Sequence, residues 1–494
     1  MSDKVPHNPS QKAPLASFWQ TLGTRFLPFA DAASADLPLA QLLRLALFQV
    51  SVGIAAVLLN GTLNRVLIVE LHIPSWIVAL MISIPLLVAP FRAIIGHKSD
   101  THRSVLGWRR VPYIWFGTLG QFGGLAIMPF ALLLITRPDT FVLGVVAACA
   151  AFLLTGVGMH VTQTAGLALA TDLASTDKRP RVVALLYVML LVGMMLAAFT
   201  IGNVLAEFTA TKLVQTIQGA ALITIVFNII ALWKQEPRVR RTAAAAQLAA
   251  AHATADSPSF SAMWAQFTQL HNAKRLLWAI GLGAAAFAMQ DALLEPYGGE
   301  ILGLSVRSTT SLTAAWACGA LIAFAYSAAR LASGADPLRI AGLGAVVGIG
   351  AFLMIVFAAP LSSTLLLFTG AFLIGGGVGL FSVGTMIAAM GLADGLADKN
   401  ASGIALGAWG AVQASCAGAG VAMGGIIRDT LGSAATHQML GETLASRATG
   451  YSAVYLVEIL LLLLTLVVLG PVIGMGLTDG DEQDARFGLR EFPT

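Results

Sequence analysis

The feature that most constrains this chain is a series of twelve apolar stretches, each about 18 residues or longer. A helix of about 20 apolar residues is long enough to cross a bilayer. Only 11% of the 494 residues are charged, whereas soluble proteins carry about 25%. The sequence therefore excludes a soluble enzyme and predicts an all-α integral membrane protein. The predicted spans are 42–69, 74–95, 111–135, 140–170, 180–206, 214–233, 275–302, 308–331, 338–358, 362–391, 401–426 and 450–477.

Lys and Arg are distributed unequally over the two sides of these spans. The side that holds both termini has 23 of the 29 Lys and Arg residues. Loops rich in Lys and Arg stay in the cytoplasm, so we expect both tails, 1–40 and 478–494, and the linker 234–274 to be cytoplasmic. The linker is either a flexible tether or contains an amphipathic helix near 260–270. The expected location is a bacterial inner membrane.

The two halves of the chain repeat at an offset of 221 residues. This shift places Gly156–Gly158 on Gly377–Gly379, and three further pairs follow in register. A parallel repeat of six spans plus six is typical of the major facilitator fold. The sequence therefore predicts two six-helix pseudo-repeats, over 41–233 and 275–477.

The loop after the second span has a spacing typical of facilitators. Gly96 is followed by Asp100 and Arg103, and then by Arg109 and Arg110 just before the third span. Gly permits a tight turn at a helix end, and the charged side chains can bridge to neighbouring helix ends. These five residues are a candidate conformational latch. The alternative is that the basic residues only anchor the loop in the cytoplasm.

Ionisable residues inside predicted spans are functional candidates because a charge is costly in a bilayer. Asp291 and Glu295 are four residues apart, so they share a helix face, and Pro296 predicts a helix break there. One interpretation is a proton, ion or ligand site. The other is a structural network in which Arg65 pairs with Asp291 and Glu295 and joins the two halves. The candidate site comprises Arg65, Glu70, Asp291, Glu295 and Tyr297.

Three strings resemble the PucC/LhaA family, the bacteriochlorophyll-delivery branch of the major facilitator superfamily. They are NRVLIVE at 64–70, DTHRSVLGWRRVPYIWFG at 100–117 and MQDALLEPYGGEILG at 289–303. The similarity extends over about residues 40–475 and is strongest to LhaA-type members. It implies an assembly factor for the light-harvesting 1 antenna of a purple photosynthetic bacterium, which delivers bacteriochlorophyll to nascent antenna polypeptides by binding, without catalysis.

Two histidines are candidate pigment ligands in the context of this resemblance. His160 lies in the middle of the fourth span with Gln163 one turn later, and His72 follows the first span. Imidazole can donate a nitrogen to the magnesium of a chlorin ring. The alternative is that His160 forms a hydrogen bond to a neighbouring helix.

Two other functions stay open at this point. One is a proton-coupled carrier of a small solute that uses Asp291 and Glu295, and the other is a permanent structural subunit of the photosynthetic complex. The sequence has no Walker-type loop, metal-ligand spacing or nucleophile elbow, so we expect no enzyme, metal ion or nucleotide. The resemblance implies the light-harvesting 1 α and β polypeptides, the reaction centre, bacteriochlorophyll synthase and membrane lipids as partners, without nucleic acid.

Overall fold

The computed structural model describes residues 37–91, 108–175, 178–236, 272–393 and 401–472. All regular secondary structure in these residues is helical. The twelve membrane helices are α1 (Leu39–Glu70), α2 (Ser75–Val88), α3 (Val111–Ile135), α4 (Phe141–Leu173), α5 (Arg179–Val204), α6 (Ala210–Leu232), α7 (Ala273–Glu300), α8 (Val306–Ala332), α9 (Pro337–Ala358), α10 (Thr364–Ala393), α11 (Ala401–Thr436) and α12 (Arg447–Leu469).

Eleven of the described helices are long and apolar enough to cross a membrane, and α2 is a shorter apolar helix. Each overlaps one predicted span, so the twelve-helix membrane fold is confirmed. Large apolar side chains point away from the bundle, including Phe116, Phe130, Phe199 and Trp278, which are all more than half exposed. Such a surface suits contact with lipid tails. The chain is therefore a multi-pass membrane protein.

The helix pairs in the first half of the bundle recur six helices later. Helix α1 packs against α5 and α6, as α7 packs against α11 and α12, and α3 packs against α4 as α9 packs against α10. Two further pairs, α2–α11 and α5–α8, join the halves. The tails and nearly all of the 234–274 linker lie outside the described residues, so their cytoplasmic location stays a prediction.

Small residues let several of these helices approach closely. A Cβ added to Gly375 of α10 would lie 1.9 Å from the Trp316 carbonyl oxygen of α8. One added to Gly424 of α11 would lie 2.5 Å from the Met289 carbonyl oxygen of α7. Close backbone contact of this kind replaces the hydrophobic effect as the source of helix association in a membrane.

Candidate functional site

Helix α7 is interrupted where the half-buried Asp291 and the buried Glu295 lie. Residues Met289–Ala292 form a 3-10 turn, and the α-helix resumes at Leu294–Glu300. Pro296 lacks an N–H group, and its ring clashes with the carbonyl four residues earlier, which belongs to Ala292. The predicted break is therefore present, but it lies one turn before Pro296 and includes Asp291.

Helix α1 reaches this turn from the other half of the molecule. The Asn64 side chain donates to the main-chain oxygen of Asp291, at 2.9 Å from Nδ2. The same amide also donates to Asn60 of its own helix at 2.7 Å. A Cβ added to Gly61 would lie 2.5 Å from Oε1 of Glu295, so α1 passes directly over that side chain. The two halves thus meet at the interruption of α7.

The two carboxylates at the interruption of α7, Asp291 and Glu295, have different partners. Oδ1 of Asp291 accepts a hydrogen bond from the Gln290 side chain. Oε1 of Glu295 accepts one from the Thr313 hydroxyl of α8 at 2.5 Å, and Glu295 is only 2% exposed. The helix thus presents Asp291 and Glu295 to separate neighbours.

The direct partner of Arg65 is neither Asp291 nor Glu295, although the charge of Arg65 does act on Glu295, as the predicted network requires. The guanidinium of Arg65 forms an ion pair with Glu70, and its second amino group donates to the Leu304 carbonyl at 3.3 Å. Glu70 lies five residues after Arg65, at the end of the π-helical segment Val66–Glu70 of α1. This segment brings the Glu70 carboxylate next to the Arg65 guanidinium. Arg65 therefore closes the end of α1, and Asn64 makes the connection to Asp291.

Tyr297 belongs to an aromatic cluster and not to the network of Arg65. Its hydroxyl donates to the Ile355 carbonyl of α9 at 2.9 Å. Its ring lies 5.4 Å from that of Tyr451 and 5.7 Å from that of Tyr455, both on α12. Tyr297 therefore fixes the second part of α7 against α9 and α12.

A charged cluster that the sequence reasoning missed lies at the end of α11. Arg428 forms ion pairs with Glu300 and with Asp429, and its guanidinium lies 4.7 Å from the ring centre of Tyr451. The other oxygen of Asp429 accepts from the backbone N–H of Trp76 at 2.8 Å. These five residues are called the Arg428 cluster below. Two adjacent charges within an apolar helix, at 428 and 429, were the available sequence signal.

His72 lines a cavity beside the Arg428 cluster. The cavity has a volume of about 710 Å³ and lies between the α1–α2 turn of one half and α7, α11 and α12 of the other. His72 has a backbone φ of 54°, in the left-handed region, at the turn between α1 and α2. His72 therefore lies in a polar cavity, separate from the position of His160 on α4. The residues that line this cavity include Trp76, Glu300, Arg428, Asp429, Ser433, Thr436 and Arg447.

At the start of α3, part of the candidate latch forms a second charged cluster. The carboxylate of Glu236, just after α6, accepts hydrogen bonds from the backbone N–H groups of Arg109, Arg110 and Val111 at 2.7 to 3.2 Å. Arg110 also pairs with Asp172 of α4 at 3.1 Å. Arg109, Arg110, Asp172 and Glu236 are called the Arg110 cluster below. Gly96, Asp100 and Arg103 lie outside the described residues, so the latch stays a prediction.

His160 and Gln163 lie on α4, half-buried within the first half of the bundle. The Gln163 side chain donates to Gln49 of α1 at 3.4 Å, and the His160 carbonyl accepts from Thr164. Nearby polar pairs include Gln121 with Ser51 and Asn228 with Thr118. The half-buried imidazole is a donor of the type that a chlorin magnesium takes, so its chemistry fits the proposed ligand.

Comparison with known proteins identifies relatives over most of the chain. A family profile described as "PUCC protein" matches residues 62–477. The chain is 55% identical over 416 residues to "Protein PucC" of Rhodovulum sulfidophilum, covering 83% of this chain and 90% of the relative. It is 52% identical over 480 residues to an "Uncharacterized protein in puhA-bchM intergenic region" of Rhodobacter capsulatus, covering 96% and 98%.

Solved structures resemble the fold. The nucleoside transporter NupG, as a D323A mutant, matches with a TM-score of 0.62 at 14% identity, covering 87% of this chain and 99% of that chain. At that identity the likeness concerns the arrangement of helices. It confirms the major facilitator fold predicted from the repeat.

Proposed function

Since the chain belongs to the PUCC protein family, we propose that it is an assembly factor for the light-harvesting 1 antenna of a purple photosynthetic bacterium. The observation that carries the proposal is the high identity to "Protein PucC" and to the protein of the puhA-bchM intergenic region. These relatives and the facilitator fold favour a protein that binds and hands over its ligand over an enzyme.

The proposed ligand is bacteriochlorophyll, and the proposed partners are the light-harvesting 1 α and β polypeptides, the reaction centre and bacteriochlorophyll synthase. The pigment would supply a magnesium that takes one axial nitrogen. On this chain His160 would provide that nitrogen from the half-buried face of α4, and Gln163 would orient the neighbouring surface through Gln49. The site would lie in the intracytoplasmic photosynthetic membrane, with both termini in the cytoplasm.

A deletion strain complemented with the wild-type chain tests the proposed assembly role. We expect complementation to restore the absorbance of the light-harvesting 1 antenna, and the purified chain to bring down pigment and α and β polypeptides. The level of the peripheral antenna in the same strain distinguishes the two family types. Normal light-harvesting 1 levels in the deletion strain would refute the proposal.

The proposed pigment ligand is tested by His160→Leu. We expect the ratio of pigment absorbance to protein to fall while the amount of protein holds. His437→Leu is the matched control, because His437 is an exposed histidine at the end of α11. A reduced amount of protein with an unchanged pigment ratio would instead assign His160 to packing.

A proton-coupled carrier is the second candidate function, and the interruption of α7 beside Asp291 and Glu295 favours it. Carriers of this fold expose such broken helices to their substrates. Asp291→Asn would then abolish solute-driven acidification inside proteoliposomes, measured with a trapped pH dye. Acidification that is equal in the variant and the wild type would exclude Asp291 as the coupling group.

A further inference from the structure

Glu458 is a buried carboxyl group that the proposed function leaves unused. It lies in the middle of α12, is 0% exposed, and no side chain in the described residues donates a hydrogen bond to its carboxylate oxygens. A carboxylate ion that is buried without partners is very costly in an apolar interior. The surroundings of Glu458 must therefore supply a compensating positive charge.

The neighbouring residues of the chain do not supply that charge. Helix α12 packs against the 3-10 turn of α7, and the titratable group of that turn that acts on Glu458 is Asp291, which is also acidic. The backbone N–H of Gln290 in the same turn lies close to the carboxylate, but outside full hydrogen-bond geometry, and carries no net charge. Arg428 of α11 is engaged by Glu300 and Asp429. In the part of the chain that the structure describes, two carboxyl groups thus share one site between α7 and α12 with no basic side chain paired to either.

A second polar group at the same place also lacks a partner. Tyr455 precedes Glu458 by three residues, so the two lie on one face of α12. Its side chain is 0% exposed, and its hydroxyl has no hydrogen-bond partner among the residues that the structure describes. Its ring is fixed by Tyr297 at 5.7 Å and by Phe352 at 6.1 Å. A rigid hydroxyl next to two carboxyl groups is the surrounding expected for a site that takes up a small cation.

We propose that Glu458 and Asp291 form an intramembrane proton-binding site at the contact between α12 and the interrupted turn of α7. The proton comes from water and forms an O–H bond on one carboxyl oxygen, so the pair carries at most one negative charge. No other reactant is needed. The titratable groups around the site are Asp291 and Tyr297 from α7 and Tyr451 and Tyr455 from α12. The proton neutralises the contact that holds α12 against α7.

Dicyclohexylcarbodiimide tests the site because it modifies protonated carboxyl groups in apolar surroundings. The purified full-length chain is treated with the reagent over a range of pH, and modified peptides are identified by mass spectrometry. We expect modification of Glu458 or Asp291 at neutral pH and loss of modification at alkaline pH. No modification of either residue would overturn the proposal. Protection by sodium or potassium at constant pH would also overturn it, because the bound charge would then be a metal cation.

Infrared difference spectra give an independent measurement. Glu458→Gln and Asp291→Asn each replace a carboxyl group by an amide of nearly the same shape, so we expect both variants to fold and at least one to lack a carboxylic acid C=O band that the wild type has. Glu300→Gln is the matched control. Its carboxylate is paired with Arg428, so only carboxylate bands should be lost. Loss of carboxylate bands alone in both variants would overturn the proposal, and the carbodiimide test on the wild type decides it if the variants do not fold.

Discussion

Two carboxylates, Glu236 and Asp429, accept hydrogen bonds from backbone amides at the start of a membrane helix, but they join different parts of the molecule. Glu236 connects the end of α6 to the start of α3, within one half. Asp429 of α11 holds Trp76 at the start of α2, across the two halves. In both places the partial positive charge of a helix N-terminus stabilises the carboxylate. Only the bond of Asp429 must break if the halves move apart, so the Arg428 cluster can report on conformation and the Arg110 cluster on stability alone.

The largest effect is expected from removing the central charge of the Arg428 cluster. Arg428→Met leaves Glu300 and Asp429 unpaired, and breaking a buried ion pair from one side costs about 3–5 kcal/mol. Thermal unfolding of the solubilised protein measures the loss. Lys212→Met is the control, because Lys212 pairs with the 91% exposed side chain of Glu207 and should cost about 0–1 kcal/mol. Equal stability of the two variants would contradict this assignment.

A smaller loss is expected in the Arg110 cluster. Glu236→Ala removes the acceptor of three backbone N–H groups at the start of α3, and loss of a helix cap costs about 0.5–2 kcal/mol. Glu236→Gln keeps one oxygen acceptor and should lie between this variant and the wild type. Thermal unfolding gives the order of the three proteins. A variant Glu236→Ala that is as stable as the wild type would mean that water replaces the cap.

The contact between the halves is tested by Asp429→Ala. The lost hydrogen bond to Trp76 is worth about 1 kcal/mol, which corresponds to about a fivefold shift in an equilibrium. We expect a thiol reagent to label Ile73→Cys several-fold faster, after Cys149, Cys318 and Cys416 are replaced by Ala, because Ile73 lines the adjacent cavity and is only 6% exposed.

The same labelling distinguishes the two clusters. Asp429→Asn keeps an oxygen acceptor for Trp76 and should increase the rate less than Asp429→Ala. Glu236→Ala should leave the rate unchanged, because its bonds lie within one half. An equal increase in Glu236→Ala would remove the distinction between the clusters.

The smallest effect is expected from Asp172→Asn. The side chain of Asp172 is 43% exposed, and its pair with Arg110 is open to water. Pairs of this kind contribute about 0–1 kcal/mol. Raising the salt concentration should lower the thermal unfolding temperature of the wild type slightly and leave that of the variant unchanged. A loss as large as that of Glu236→Ala would show that the pair, rather than the cap, holds α3.

Apolar length alone predicts the helices of this chain, because lipid requires that every spanning segment satisfy its own backbone groups. The break in α7 was also predicted from Pro296, although the affected turn includes Asp291. The partner of Arg65 was not predicted. Its choice between Glu70 and Asp291 depends on how α1 turns at its end, and the spacing of residues does not give that turn.

The residues that the sequence reasoning missed are partners that are far apart in the chain. Glu236 and Asp172 reach Arg110 from 126 and 62 residues away. Glu458 stands in a long apolar run, and a single acidic residue there was a sufficient signal for a functional candidate. The proximity of Glu458 to Asp291 could not be predicted, because the contact of α12 with α7 follows from the three-dimensional packing of the bundle.

The irregular turns of α1 and α7 predict how the protein responds to the deletion or insertion of a single residue. Leu58–Thr62 and Val66–Glu70 of α1 are π-helical, whereas Met289–Ala292 of α7 is a tight 3-10 turn, and the first of the wide turns contacts the tight one. A wide turn uses more residues per unit of height and a 3-10 turn fewer. Deleting one residue from 58–62 should therefore shift Asn64 out of reach of Asp291, and a compensating insertion near 289 should bring the two helices back into register.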